Sequence, residues 1–467
     1  MILPSAWKFG CILLLGLATA LVSPAQTFKT LLDFNGANGA TPVYTPLIQG
    51  RDGNLYGTTL GGGSNGGGTV FKITPGGVLQ TIYSFCSQTN CADGNGPYAG
   101  LVQGSDGNFY GTTYYGGVSG VFGTVFEITP SGALTTLHSF DLSDGAGPDS
   151  GLVQSANGDF YGTTTGGPDS NNGTVFKITS AGSFTTLHVF DSTDGSGPVG
   201  TLVQDADGNL YGTTPYGAGY GSIFKITPSG TLTTLHSFTL ADGSYPYGGL
   251  VQASDGAFYG TTYGGGDTNN CFGNGCGTVF KITPDGTLNT LHIFESTEGA
   301  NPIAGLIQAT DGNFYGTTYA GGNAGGWGTA FEMTSSGSVT TLHSFDGNNG
   351  AQPYGAVAQD TNGNIYGSAT NGLGDSSQGT IFIISTDLGP FVSFTRNSGK
   401  VGQVRGVFGQ HFTGTRNVSF NGTSAKFSVK SDTFLVATVP PGASSGFVRV
   451  ISADGTLKSN VQFRVLP

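Results

Sequence analysis

Charge is scarce in this chain. Only 9% of its 467 residues are Asp, Glu, Lys or Arg, and Lys plus Arg number 16 against 28 Asp plus Glu. A chain so poor in cations and acidic overall offers no basic stripe for a phosphate backbone, which argues against nucleic acid as a partner. A zinc-protease signature is missing too: H-E-x-x-H does not occur. Cysteine is limited to five residues. After the first 25 positions no apolar run approaches the roughly 20 residues of a membrane-spanning helix.

Glycine and aromatics are plentiful instead, with 84 Gly, 32 Phe and 19 Tyr. Aromatics at this level exclude a disordered chain, and glycine-rich punctuation between Tyr, Phe, Thr and Val runs fits an all-β protein dense in loops. The order behind that composition is a repeat. YGTT begins at Tyr56, Tyr110, Tyr161, Tyr211, Tyr259 and Tyr315 and recurs as YGSA at Tyr366, a period of about 50 residues. The second copy reads GLVQGSDGNFYGTT and then GTVFEITPSGALTTLHSF. Each copy thus holds four short apolar or Thr-rich runs divided by turn residues, the pattern of short antiparallel strands. Seven such copies predict a seven-bladed β-propeller over residues 26–388. The seventh copy stops after Gly379 to Ser385, and an extra TLLDF run at Thr30 to Phe34 is expected to complete its sheet.

Residues 1–25 read as a signal peptide: Lys8, an apolar stretch from Cys11 to Val22, then Ser23-Pro24-Ala25 as the cleavage region. The alternative is a retained anchor, for which the apolar stretch is short; with cleavage, no membrane span is expected. Cys86, Cys91, Cys271 and Cys276 then remain, each pair five positions apart in a Gly/Asn-rich loop. Two local disulfides are the reading that an oxidising compartment favours; a four-thiol zinc site would require distant loops to meet.

Charge divides the chain. Residues 26–388 carry 6 Lys plus Arg against 26 Asp plus Glu, whereas residues 389–467 carry 9 against 2. The basic part contains alternating apolar runs (VSF, VRGVF, VSF, FSV, FLVATV, FVRVI) that predict a sandwich of about seven short strands. Its GQHFTGT, VSFNGTSAKF, SDTFLVATVPPGASSG and VQFRV segments resemble the IPT/TIG immunoglobulin-like domain. The seven LVQ-x-x-DGN-x-YGTT, GTVFKIT and TTLHSF copies resemble the Gloeo_Verruco (GloVer) tandem repeat of exported bacterial proteins. The first resemblance implies a spacer or binding module, the second export and repetition; neither implies an activity.

Loop lengths separate the two ends of the propeller. The Gln-to-Tyr step across each DGN turn is always seven positions, and the Phe-to-His step across each TPSG turn is twelve from Phe126, Phe176, Phe224, Phe280 and Phe331. At the opposite end the loop after YGTT runs from six residues after Thr214 to fourteen after Thr262. Both cysteine pairs fall at this variable end, which is the candidate functional face, although drift in exposed loops would also account for it.

Aromatics beside glycine crowd the variable end: Tyr114, Tyr115, Tyr216, Tyr263, Tyr319 and Trp327. Such rings can stack on a sugar while Asn, Asp and Thr bond its hydroxyls; packing between blades is the competing account. Asp93, Asp144, Asp194, Asp242 and Glu298 occupy one repeated loop position, with Asn38 and Asn348 completing the set. A converging ring of carboxylates would suit a hard cation such as calcium, whereas Asp-Gly turns explain the same residues. No other cofactor is expected. His138, His188, His236, His292 and His343 are one strand residue repeated, better read as structural than as a metal cluster. The sequence therefore predicts an exported, monomeric, non-enzymatic recognition protein, extracellular, at the cell surface or periplasmic, with polysaccharide or cell-envelope proteins as partners. A cell-envelope scaffold and a polysaccharide-cleaving hydrolase or lyase are the alternatives.

Overall fold

A computed structural model describes residues 26–44, 46–168, 172–323, 325–371 and 378–466. The expected signal segment, 1–25, lies outside the described residues. Among them no helix is long and apolar enough to cross a membrane.

Each repeat folds into a four-stranded antiparallel sheet. In the second copy the strands are Val102–Gln103, Phe109–Thr113, Thr124–Ile128 and Leu134–Ser139, hydrogen-bonded in chain order. The repeated letters are a packing code. Tyr110 stacks on Phe160 of the next sheet with ring centres 4.1 Å apart, while its hydroxyl donates to Asp106 of its own DGN turn at 2.7 Å. Gly111 is small because a Cβ there would stand 2.7 Å from the Phe126 ring. Thr112 donates to the backbone of Ser150 in the following repeat at 3.1 Å, and Thr113 pairs with Thr124 across its own sheet at 2.8 Å. One tetrapeptide therefore fixes both a sheet and its contact with the next.

Seven sheets arise in this way. The seventh takes its fourth strand from the N-terminus, where Thr27–Asp33 pairs antiparallel with Thr380–Ser385. Buried apolar clusters join the first sheet to the second, and so on through the sixth to the seventh. A further cluster unites Tyr366 and Ile381 of the seventh with Leu47, Leu55 and Phe71 of the first. The series closes on itself, so every sheet is covered on both faces, as in propeller-like folds.

Beyond the repeats, two four-stranded sheets face one another. Val407, Leu435 and Ala437 from one meet Val418, Phe420, Val448 and Val450 from the other in a shared core. Parallel strands Ser398–Lys400 and Arg464–Leu466 add a small third pair. The described strands number ten in all where about seven were expected, because the chain breaks at turns such as Asn421-Gly422 into shorter pieces. This unit lies against the invariant end of the ring. Gln410 Nε2 donates to Thr361 Oγ1 at 2.8 Å, Ser431 Oγ to the Arg51 carbonyl at 3.4 Å, and the Arg51 guanidinium sits 5.2 Å from the Phe434 ring centre. The variable end lies at the opposite ends of the strands from these contacts.

Candidate functional site

At the variable end the loop entering each sheet carries a proline followed by a variable residue: Val43, Tyr98, Asp149, Val199, Tyr247, Ile303 and Tyr354. These loops lead directly into the short first strand of every sheet, and the aromatic ones meet the residues after YGTT. Tyr319 packs edge-on to Tyr354 at 4.9 Å, and Tyr354 to Tyr44 at 5.5 Å. Tyr216 and Tyr247 share a 2.6 Å hydroxyl contact, and Tyr247 meets Tyr263 at 5.8 Å. Tyr98 lies 5.0 Å from Tyr114, which is T-packed on Tyr115.

Asp149 stands among these phenols. The residue is only partly exposed, and its Oδ1 is buried with no hydrogen-bond partner. Burial pushes its carboxyl up to about 7. Burial also raises the Tyr44 phenol, and the proximity of Asp149, Tyr354, Tyr247 and Tyr216 raises it further. Tyr98 is raised for the same reasons, by burial and then by Tyr115, Asp149 and Tyr114. One carboxyl, raised to about 7 by burial, thus lies close enough to Tyr44 and Tyr98 to raise both phenols.

Of the aromatics singled out in the sequence, Tyr114, Tyr115, Tyr216, Tyr263 and Tyr319 belong to these packed groups. Tyr115 and Tyr216 are 45% and 48% exposed, enough face for a ligand to stack on. Trp327 is in none of these ring contacts; it is 43% exposed, bridges to Gly321 and accepts the Gln352 amide on its carbonyl at 2.8 Å. Sequence reasoning missed Tyr44, Tyr98, Asp149, Tyr247 and Tyr354. Their signal was positional: they sit just before the first strand of a sheet, where Asp149 is the only acid among apolar and aromatic counterparts.

The acidic ring is corrected by the structure. Asp144, Asp194, Asp242 and Glu298 do not converge, because each is bound to the histidine of its own repeat, His138, His188, His236 and His292, at 2.8, 2.8, 3.0 and 2.6 Å. Asp93 makes the same contact with Tyr83 at 2.8 Å. The other carboxylate oxygen of Asp144 and Asp194 caps the loop by accepting the Asp141 and Asp191 amides. These acids and histidines are loop clasps at the outer strand of the second to fifth sheets. The counterpart in the sixth repeat is Asn349, which accepts the Asp346 amide, and not Asn348. Among the described residues no group of three or more His, Cys, Asp or Glu could hold a metal ion. The cysteines form the two local disulfides, Cys86–Cys91 and Cys271–Cys276, each enclosing a short 3₁₀ turn at the variable end.

Sheets that close in series, with tuned aromatic loops at one end and a second unit against the other, define an all-β, propeller-like repeat protein. Within that class the chain belongs to the Gloeobacter/Verrucomicrobia repeat family, whose sequence profile matches residues 16–220, 123–273 and 217–425. No curated protein matches it. Among solved structures it is similar to two extracellular domains described as belonging to hybrid two-component systems of B. thetaiotaomicron. One is 14% identical with a TM-score of 0.51, covering 95% of this chain and 58% of that one. The other is 12% identical with a TM-score of 0.52, covering 95% and 59%. The chain therefore spans under two thirds of either structure, and at such identities the likeness is one of fold.

Proposed function

We propose that this is an exported recognition protein that binds carbohydrate at the variable end of a seven-bladed β-propeller. In this reading residues 26–388 are the propeller, and residues 389–467 are an IPT/TIG-like immunoglobulin sandwich that covers the opposite end. Export is supported by the signal-like segment, the two disulfides and the extracellular character of the similar structures. One observation carries the ligand class: a mouth of phenol rings beside a carboxyl whose Oδ1 has no hydrogen-bond partner, at the end of the sheets away from the C-terminal unit. Rings with one exposed face and hydroxyls in reach suit a ligand that is apolar on its faces and polar at its edges, as a sugar is.

A glycan and polysaccharide array probed with residues 26–467 tests this, with product analysis on every positive. Saturable binding without cleavage is the expected result. Tyr115→Ala, Tyr263→Ala and Trp327→Ala separate the candidates, and loss is expected for the first two. Unchanged binding in the triple variant would remove this face from consideration. The raised Asp149 is the observation that favours a hydrolase or lyase as the second reading, since a carboxyl protonated near neutrality can act as a general acid. Release of reducing ends or unsaturated sugars would establish it.

A further inference from the structure

At the opposite end, where the C-terminal sheets meet the ring, a cavity of about 340 Å³ is walled by three arginines: Arg51 from the first repeat, and Arg396 and Arg405 from the C-terminal unit. All three are half-buried. Arg51 spends its Nη atoms on the carbonyls of Gly104, Ser105 and Asp106. Arg396 Nη1 donates to the Ala156 carbonyl at 2.9 Å. Arg405 donates to the carbonyls of Ser398 and Val404 and to the Gln403 side chain. Three donors remain buried with no acceptor: Arg51 Nε, Arg396 Nε and Arg396 Nη2.

Among the described residues no carboxylate forms an ion pair with any of these cations; the ion pairs made there involve Lys72, Lys281 and histidines. Burial lowers the pKa of all three arginines; Arg405 lowers Arg396 further, and Asp106 offsets the effect only at Arg51. Adhesion between the two units would explain the bonds to carbonyls. It does not explain an open cavity walled by three like charges, whose side chains also hold buried donors that no protein group satisfies, an arrangement that costs free energy unless an anion occupies it.

We propose that this junction is a binding site for a multivalent oxyanion of the sulfate or phosphate kind, held by Arg51, Arg396 and Arg405. Planar guanidinium forks match such oxygens two at a time. The anion comes either free or as an ester on a saccharide, and by bridging both units it fastens them together. This site is independent of the tyrosine-lined mouth.

Thermal unfolding and calorimetric titration of residues 26–467 test it, with inorganic sulfate, inorganic phosphate and a sulfated oligosaccharide compared with sodium chloride at equal ionic strength. A saturable rise of a few degrees with an oxyanion over chloride is expected, absent in Arg396→Gln and kept in Arg416→Gln, whose residue is exposed. Arg405→Gln is the second variant should Arg396→Gln not fold. A response to inorganic anions alone identifies a free ion as the source, and tighter binding of the oligosaccharide identifies an ester; both support the site. No difference from chloride in the unaltered chain, or an equal response in the arginine variants, overturns it.

Discussion

Asp149 is a carboxyl in surroundings that oppose its charge. Its folded carboxyl titrates at about 7 against an ordinary value of 3.8, because burial penalises the charge. Below pH 3.8 both folded and unfolded chains hold the proton and nothing is lost. As pH rises toward 7 the unfolded chain ionises first, so stability falls across that window and levels off above it. Asp149→Asn is therefore expected to leave stability unchanged near pH 4 and to raise it at pH 8, by a ceiling of roughly 4 kcal/mol. Urea midpoints at the two pH values decide the matter; a gain already present at pH 4 would mean that packing is responsible. Gly111 makes an opposite case, in which the repeated residue leaves no room. A methyl group there would stand 2.7 Å from Phe126 and 2.9 Å from Leu101, so Gly111→Ala is expected to cost about 1–3 kcal/mol, read as a lowered urea midpoint with an unchanged slope.

Among elements, the disulfide loops test whether the variable end is held in place. Each crosslink spans five positions, for which loop entropy gives about 2 kcal/mol. Cys271→Ser with Cys276→Ser is expected to lower global stability by no more than that while increasing amide exchange in the loop between Thr262 and Thr278. Sheets and turns were legible in the sequence because one strand pattern recurs from copy to copy: YGTT is written six times and once as YGSA, and each time it forms the second strand of its sheet. The histidine clasps were half legible. From His138 to Asp144, His188 to Asp194, His236 to Asp242 and His292 to Glu298 the separation is always six, but a fixed spacing alone does not show that the two side chains meet. The mouth was hidden for the opposite reason. Val43, Tyr98, Asp149, Val199, Tyr247, Ile303 and Tyr354 differ from copy to copy, so no motif marks them, and only the three-dimensional closure of the sheets makes them neighbours. The arginine cavity was further still from view, since Arg51 and Arg396 are brought together by the packing of two units.

For the whole molecule, closure is what converts repeated sheets into one cooperative unit. In an open array a terminal sheet is covered on one face and frays, whereas in a closed one every interface has the same status. Phe34 allows this to be measured. It follows the N-terminal strand, is 3% exposed, and packs on Phe71 at 5.3 Å in the cluster that joins the last sheet to the first. Phe190, wholly internal to the series, packs on Phe224 at the same 5.3 Å and is 1% exposed. If the N-terminal strand closes the molecule as firmly as covalent continuity joins the other sheets, Phe34→Ala and Phe190→Ala should each cost about 3–5 kcal/mol. Both should also keep a single urea transition of unchanged slope. If the closing strand frays, Phe34→Ala will cost far less than Phe190→Ala, and amide exchange will report opening confined to the seventh and first sheets. The tyrosine mouth depends on the same seam, because Tyr44 and Tyr354 lie on either side of it. A weakened closure should therefore loosen the Tyr44–Tyr354 contact, and with it the binding proposed at the mouth, before it unfolds the chain.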